Sequence, residues 1–206
     1  QEMRIRVACI VSLICVFTLA AACGPPPPPR VTRLNPNEQT DLSGKWNDTD
    51  SNLVARAMIQ DCLSRPWASK FKEKTGKDPV IRLELILNRA PEHINTRFFT
   101  KQVEAEILNS GMAQVVADTE EAEGNRDERA DQAQHASDET AKSQGNETAS
   151  DFLLKGWILT ENDALGSQEV RAFVITMELT NSETNVKVWM KVHKIKKVIN
   201  RASTRW

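Results

Sequence analysis

The first hydrophobic run of the chain lies at its N-terminus. Arg4 and Arg6 precede an apolar stretch that runs from Val7 to Ala22 and ends in small residues. A basic start, an apolar stretch of about 16 residues and a small-residue end are typical of a secretory signal peptide, and the stretch is short for a membrane span. We therefore predict that residues 1–22 are a signal peptide.

Helical spacing of hydrophobic residues returns after residue 50. Leucine, valine, alanine and methionine side chains recur at this spacing over residues 53–63, which predicts a helix. Asp50 or Ser51 is the expected N-cap, because short polar side chains accept hydrogen bonds from free N–H groups at a helix start. Pro66 and Trp67 interrupt the pattern, and residues 68–74 are expected to add another turn of helix.

A strand–helix–strand unit follows. Residues 80–87 are mostly apolar and predict a buried strand, and residues 112–117 predict a second, shorter one. Between them, Asn95 or Thr96 is expected to cap a helix that ends at Gly111, with its apolar face formed by Phe98, Phe99, Val103, Ile107 and Leu108. About 38 residues suit a crossover between two parallel strands.

The charge pattern changes in residues 118–150. This segment has ten acidic residues against Arg126, Arg129 and Lys142, and it has almost no large hydrophobic residues. We predict a solvated helix over residues 119–134 and a second helix from an N-cap at Ser137. Disorder is the alternative, because so few hydrophobic residues cannot bury much surface.

The C-terminal part of the chain alternates hydrophobic and polar positions, as strands do. Residues 152–159, 168–179 and 186–193 are predicted strands, and the polar turn at 180–185 joins the last two into an antiparallel hairpin. From Val186 onward there are seven Lys or Arg residues and no acidic residue. This basic end would either attract the acidic segment within the fold or orient a partner.

These elements predict one α/β (α+β) domain, in which a central mixed β-sheet is flanked by helices. We place the domain at residues 48–206, with 118–150 as an acidic helical insertion. Residues 23–47 are predicted to be a flexible tether. Its five consecutive prolines, 25–29, favour a semi-rigid polyproline II start.

The cysteines suggest an anchor rather than disulfides. Cys23 directly follows the small residues of the signal, as in a bacterial lipobox, although Ala20 stands where leucine is usual. We predict that Cys23 is lipidated; the alternative is ordinary cleavage near Ala22, which leaves a free thiol. Gly24 is not the aspartate associated with inner-membrane retention, so we expect an outer-membrane location. Cys62 has no partner once the signal is removed and is interpreted as a core residue.

No arrangement of residues indicates catalysis. His93, His135 and His193 have no second ligand at metal-binding spacing, and glycine-rich phosphate loops and nucleophile motifs are absent. The sequence thus predicts a protein that is not an enzyme and has no metal or cofactor. The formal net charge of −1 also argues against nucleic-acid binding.

The five tryptophans of the sequence could anchor an interface. Trp157 and Trp189 fall on predicted strands and are interpreted as core or edge packing. Trp46, at the end of the tether, is our candidate for contact with a partner.

Five stretches of this sequence, taken in order, carry a family resemblance: 42–51 (LSGKWNDTDS), 61–67 (DCLSRPW), 150–156 (SDFLLKG), 178–184 (ELTNSET) and 188–189 (VW). Together they resemble the LpoB family, the outer-membrane lipoprotein activators of penicillin-binding proteins. The resemblance implies a mixed sheet with packed helices, similar to the N-terminal domain of TolB. It also implies a periplasmic protein that binds a class A bifunctional penicillin-binding protein and stimulates peptidoglycan synthesis.

The resemblance assigns no contact residue in this chain, and Asn185 stands where a hairpin glycine would be expected. The alternative function is a structural or secretion lipoprotein of the curli-secretion type, which shares the TolB-like core. That role requires ring assembly and membrane-crossing strands, and one hairpin alone does not supply them. We therefore expect a monomer.

Overall fold

The structure, a computed structural model, describes residues 30–35 and 38–200. The predicted signal peptide, Cys23 and residues 201–206 lie outside the described residues. The chain divides into two compact units, Gln1–Glu38 and Gln39–Trp206. In the first unit the backbone N–H of Glu38 donates to the carbonyl oxygen of Asn35 at 2.9 Å. All elements below belong to the second unit.

The second unit alternates helices and strands in its first part and contains three long strands in its last. The helices are α1 (Asp48–Ser64), α2 (Trp67–Thr75), α3 (Thr96–Ser110) and α4 (Thr119–His135). The strands are β1 (Val80–Leu83), β2 (Leu87–Asn88), β3 (Gln114–Val116), β4 (Phe152–Leu165), β5 (Gln168–Asn181) and β6 (Lys187–Asn200).

The strands form a mixed sheet, as the sequence predicted. Within the described residues its order is β3-β1-β4-β5-β6, and β2 also pairs with β4. β1 is parallel to both β3 and β4, whereas β4, β5 and β6 are successive antiparallel neighbours. The parallel β1–α3–β3 unit confirms the predicted crossover. The mixed α+β fold is therefore the one that the sequence predicted.

Helix α1 begins earlier than predicted, because its N-cap is Asn47 rather than Asp50 or Ser51. The side chain of Asn47 accepts from the N–H of Asp50 at 3.0 Å, and the carboxylate of Asp50 accepts from the N–H of Asn47 at 3.0 Å. This reciprocal capping box uses Asp50 at the third helical position. Our prediction of Asp50 or Ser51 as the N-cap was wrong, because Asp50 instead completes the capping box of Asn47 by accepting from its backbone N–H.

Residues 80–87 do not form one buried strand. β1 ends at Leu83, β2 begins at Leu87, and Leu85 and Leu87 are about half exposed. The chain bends because Ile86 turns toward α3, where its N–H donates to Thr100 Oγ1 at 3.1 Å. Between the paired positions Leu83 and Leu87, three residues therefore lie opposite only two residues of β4, and the pairing is interrupted there.

Helix α3 starts at the predicted cap Asn95 and ends at Gly111, whose φ of 66° is the left-handed C-cap conformation. Phe99, Val103 and Ile107 are buried on one face. Phe98 and Leu108, which we had assigned to the same face, are exposed. The buried face is thus a narrow stripe.

The acidic segment contains one of its two predicted helices. α4 matches the helix predicted at 119–134, and Ala122 is its buried residue. The predicted helix from Ser137 is wrong: the N–H groups of Thr140 and Ala141 both donate to the carbonyl of Ser137, and the structure there is a single turn. Residues 137–150 have no large apolar side chain to bury, and a short helix without such packing is marginal in water.

The three predicted C-terminal strands are confirmed but are longer, at 14 residues each. The β5–β6 turn is also as predicted, and Asn185 adopts a φ of 58° in place of glycine. Gly156 on β4 lies against β5, where an added Cβ would stand 2.9 Å from Met177 Cγ and 3.0 Å from the Thr176 carbonyl oxygen. β4 and β5 therefore need glycine here for close packing.

One face of the sheet carries the core. Alternate residues of β4 and β5 are buried there with the apolar faces of α1 and α3. Each such large side chain contributes about 1.5–3 kcal/mol on burial. The opposite face, which we call the open face, carries the intervening residues, and those of β6 there are exposed. The large hydrophobic residues of the two strands that are buried are Phe152, Leu154, Ile158, Phe173, Ile175, Met177 and Leu179.

Residues 41–46, called the strap below, pack on the domain although they lie in the predicted tether. A Cβ on Gly44 would overlap the side chain of Ile199 on β6, so the strap backbone touches that strand. Arg171 Nη1 on β5 donates to the Gly44 carbonyl at 3.4 Å, and Lys197 Nζ on β6 donates to the Lys45 carbonyl at 3.0 Å. The strap thus crosses from β6 to the start of α1.

Candidate functional site

The three histidines lie on different elements. His93 is in the loop before α3, His135 ends α4, and His193 is on β6. Burial, and then the nearby Lys191, lower the pKa of His193, so its ring is neutral at pH 7. In the described ranges, no group of three or more His, Cys, Asp or Glu could hold a metal ion.

Cys62 is a core residue, as predicted. It is buried in α1, and burial raises the pKa of its thiol to about 12. The indole N–H of Trp67 donates to the Cys62 carbonyl at 2.7 Å, which joins α2 to the end of α1. The thiol is protonated at neutral pH and therefore a poor nucleophile.

Trp46, our candidate for partner contact, is instead part of the packing. Its ring makes edge-to-face contacts with Phe99 and Phe173, at centroid distances of 5.6 and 5.4 Å. Its indole N–H donates to Ser51 Oγ at 2.8 Å. Trp46 directly precedes the N-cap, and its hydrogen bond reaches the fourth helical residue, so the contact fixes the entry of the chain into α1. The pattern Asn47-x-x-Asp50 in the sequence indicates a capping box, and it would have placed Trp46 directly before the helix.

The two strand tryptophans pack as predicted, on opposite faces of the sheet. Trp189 is buried in the core, and its indole N–H donates to Asp61 Oδ1 at 2.9 Å. Trp157 lies on the open face, where the guanidinium of Arg89 stands 5.5 Å from its ring centroid.

A groove of about 560 Å³ lies at the carboxyl ends of β1 and β3, beside the start of α4. Two of its basic side chains are already paired: Arg97 with Glu120 at 2.8 Å, and Lys101 with Glu104 at 2.7 Å and with Glu121. The pairs with Glu120 and Glu121 tie α3 to α4. The position is one where α/β folds often bind ligands, but here the charges neutralise each other.

A second groove, of about 530 Å³, has an aromatic floor between α2 and the β5–β6 turn. Phe152 makes edge-to-face contacts with Trp67 and Phe71, at centroid distances of 5.1 and 5.3 Å. Lys70 and Lys74 also line this groove. Our sequence analysis missed it, because it assigned Trp67 only to a helix break.

The basic end of the chain forms β6, and its lysines divide by face. On the helix side, Lys191 pairs with Asp61 at 3.1 Å, and Lys197 pairs with Asp50 at 2.6 Å. On the open face, Lys194 and Lys196 are exposed. Part of the basic charge is therefore structural, and part is presented to solvent.

The acidic segment and β6 use different partners for their ion pairs. β6 pairs with Asp41, Asp50, Asp61 and Glu178. Acidic residues of the 118–150 segment pair with Arg97, Lys101, Arg126 and Arg129. Among the described residues, the acidic segment and β6 therefore form no ion pair with each other.

Among residues 30–35 and 38–200, none of the helices has the length and apolar character that spanning a bilayer requires.

The chain matches the sequence model of the peptidoglycan-synthase activator LpoB over residues 50–195. A search of curated protein sequences found no significant match.

Solved structures give similar but distant matches. The LpoB C-terminal domain from Escherichia coli is 13% identical, with a TM-score of 0.40, covering 72% of this chain and 99% of that chain. The same domain from Salmonella enterica is 14% identical, with a TM-score of 0.37 and coverages of 64% and 94%. Lipoprotein GNA1162 from Neisseria meningitidis is 15% identical, with a TM-score of 0.39 and coverages of 61% and 88%.

These TM-scores are below 0.5, so the assignment rests on the sequence match, which spans more than half of the chain. The matched region begins near the start of α1 and ends within β6. The chain belongs to the family of peptidoglycan-synthase activators named LpoB.

Proposed function

We propose that this protein is an outer-membrane lipoprotein that binds and activates a class A bifunctional penicillin-binding protein. The observation that carries the proposal is the match to the activator family over residues 50–195. The protein would act as a monomer, without a cofactor, and would itself catalyse no reaction.

The N-terminal sequence supports the anchoring part of this proposal. A basic and apolar leader followed by Cys23 fits lipidation, and several acyl chains hold a protein on a membrane where one would not. Between Cys23 and the strap lie 17 residues, 24–40, five of them consecutive prolines. Such a length reaches up to about 60 Å when extended. The domain could then contact a synthase held in the other membrane.

Activation would work by differential binding. If the domain binds the active conformation of the synthase more tightly than the inactive one, it shifts the population toward activity. A tenfold difference in affinity corresponds to about 1.4 kcal/mol, which a modest interface can supply. No residue of this chain then needs to touch the reacting sugar or peptide.

The proposal is tested by adding the compact unit, residues 39–206, to a class A synthase of the same organism with lipid-linked precursor. We expect faster glycan polymerisation and more cross-linking, measured as product per unit time. The core variant Met58→Asp, which places a carboxylate at a fully buried site, is the unfolded control. If no class A synthase of that organism changes in binding or rate, the proposal is wrong.

Anchoring is tested separately with Cys23→Ala in cells. We expect the wild-type chain in the outer-membrane fraction with the added mass of acyl chains, and the variant in the soluble periplasmic fraction. An unmodified wild-type chain found free in the periplasm would contradict the anchor while leaving the activator role open to the rate assay.

A further inference from the structure

Strand β6 forms a long edge of the sheet. It pairs with β5 on one side only, and over its length the described residues make no other backbone hydrogen bonds to it. In such a strand the N–H and C=O groups of alternate residues point away from the sheet, where another chain can pair with them. β3, at the other end of the sheet, has three residues, whereas β6 has 14.

The accessible part of this edge is residues 187–195. The strap lies beside the end of β6, where residues 41–44 and 196–200 line one groove. Nine residues of edge strand remain before that groove, a length of about 30 Å. This exceeds the usual strand of about five or six residues, so a full partner strand fits.

The open-face side chains of β6 define what could lie along this edge. Met190 is 55% exposed and Val192 is 47% exposed, and they are followed on the same face by exposed Lys194 and Lys196. Trp157 and Thr176 stand in register with Val192, which extends the apolar part inward across the sheet. The accessible edge therefore begins with Lys187, which is paired with Glu178, continues with the apolar Met190 and Val192, and ends with the basic Lys194. Lys196 follows where the strap begins.

The charge of β6 selects against a second copy of this chain. No acidic residue occurs after Val186, so two β6 strands paired with each other would place lysines near lysines. Like charges opposite one another destabilise a strand pair, and lysines on an edge are a known defence against self-association. A partner strand that carries carboxylates would instead turn the same lysines into attractive contacts.

We propose that an extended acidic segment of the synthase adds to the sheet as a strand beside residues 187–195. Its alternate side chains would be apolar next to Met190 and Val192 and acidic next to Lys194. Backbone hydrogen bonds would supply affinity, and these side chains would supply specificity. This inference rests on the proposed function, because it names the surface that the synthase would use.

Hydrogen exchange measures strand addition directly. The full chain, purified in detergent, is compared with and without the cognate class A synthase by mass spectrometry with fragmentation to single residues. We expect slower exchange at alternate amides of residues 187–195, those that do not bond to β5. Protection that is confined to the aromatic groove at Trp67 and Phe71, or that is uniform along 187–195, overturns the proposal.

Charge reversal tests the proposed partner chemistry. We expect the double variant Lys194→Glu with Lys196→Glu to bind the synthase at least about tenfold more weakly. The matched control is Lys77→Glu with Lys142→Glu, which makes the same change of charge at exposed positions away from β6. Control and wild type should bind alike. Equal losses in both variants would show a general charge effect and overturn the acidic-strand proposal.

The outcomes separate this inference from the function on which it rests. If wild-type chain stimulates the synthase but neither β6 protection nor the Lys194/Lys196 effect appears, the edge proposal fails and the activator function stands. If the wild-type chain binds no class A synthase, both fail. A concentration-dependent dimer that protects residues 187–195 without synthase also overturns the strand-addition proposal, because the edge would then be a self-association site.

Discussion

Lys197 is a charged side chain in a place that water hardly reaches. Its side chain is 10% exposed, and its Nζ donates to Asp41 at 2.8 Å and to Asp50 at 2.6 Å. The hydrogen bond from Lys197 lowers the pKa of Asp41 to about 2. Burial instead raises the pKa of Asp50, whose side chain is 7% exposed, despite the same partner. One ammonium group thus holds both the strap and the first turn of α1.

We predict that Lys197→Met destabilises the domain by about 3 kcal/mol, because breaking a buried ion pair leaves Asp50 charged and uncompensated. The free energy of unfolding of residues 39–206, from urea titration, measures this. Lys196→Met, on the exposed side of the same strand, should stay within about 0.5 kcal/mol of wild type. A Lys197 variant as stable as its Lys196 control would contradict the role given to the cluster.

At the scale of the element, α1 is tied to β6 through Asp61. Its carboxylate accepts from the indole of Trp189 at 2.9 Å and from Arg65 at 3.0 Å, and it pairs with Lys191 at 3.1 Å. These contacts, the Trp189 hydrogen bond first, lower the pKa of Asp61 well below its usual range. The helix and the edge strand are therefore coupled through one acidic side chain.

This coupling predicts a pH dependence. The folded-state pKa of Asp61 lies below the unfolded value of about 4, so its stabilisation is complete above that pH and is lost as the pH falls further. Asp61→Asn should cost about 2 kcal/mol at pH 7, and its free energy of unfolding should fall less steeply below pH 4 than that of wild type. Urea titrations between pH 7 and pH 2.5 measure both.

The matched control for Asp61 is Asp163→Asn, which removes an exposed carboxylate on β4. It should keep the wild-type curve of stability against pH. Parallel curves for wild type and Asp61→Asn below pH 4 would mean that the carboxylate does not support the helix–strand contact.

The elements that were predictable from sequence are those that have one dominant local signal. Asn95 and Gly111 marked the ends of α3, and the alternation in residues 168–179 and 186–193 marked the hairpin. The break in residues 80–87 could not be predicted, because the bend depends on Thr100 in a later helix. Tertiary contacts of that kind leave no local pattern.

The candidate site was less predictable than the fold. The excess of lysine near the C-terminus was visible in the sequence, but its division into ion-paired Lys191 and Lys197 and exposed Lys194 and Lys196 depends on which face of β6 meets α1. Trp46 was misassigned for a similar reason, since its partners Phe99 and Phe173 lie far along the chain. Surfaces are formed by residues distant in sequence, and a single sequence does not place them together.

At the scale of the whole molecule, the strap decides where the globular unit begins. The unit runs from Gln39, and the strap adds Trp46 to the core and Asp41 to the Lys197 cluster. Asn47, which follows, caps α1. A force applied to the N-terminal segment would therefore act on the contacts of the strap before it acted on α1.

This role predicts the effect of truncation. A chain that begins at residue 48 lacks the Trp46 side chain and the Asn47 cap. Losing a packed aromatic side chain costs about 3 kcal/mol of stability, and losing an N-cap costs about 1 kcal/mol. We expect residues 48–206 to be at least about 3 kcal/mol less stable than residues 39–206 by urea titration. Residues 30–206 serve as the control and should unfold at the same urea concentration as 39–206. Equal midpoints for the chains that begin at 39 and 48 would show that residues 39–47 contribute no stability and belong to the tether.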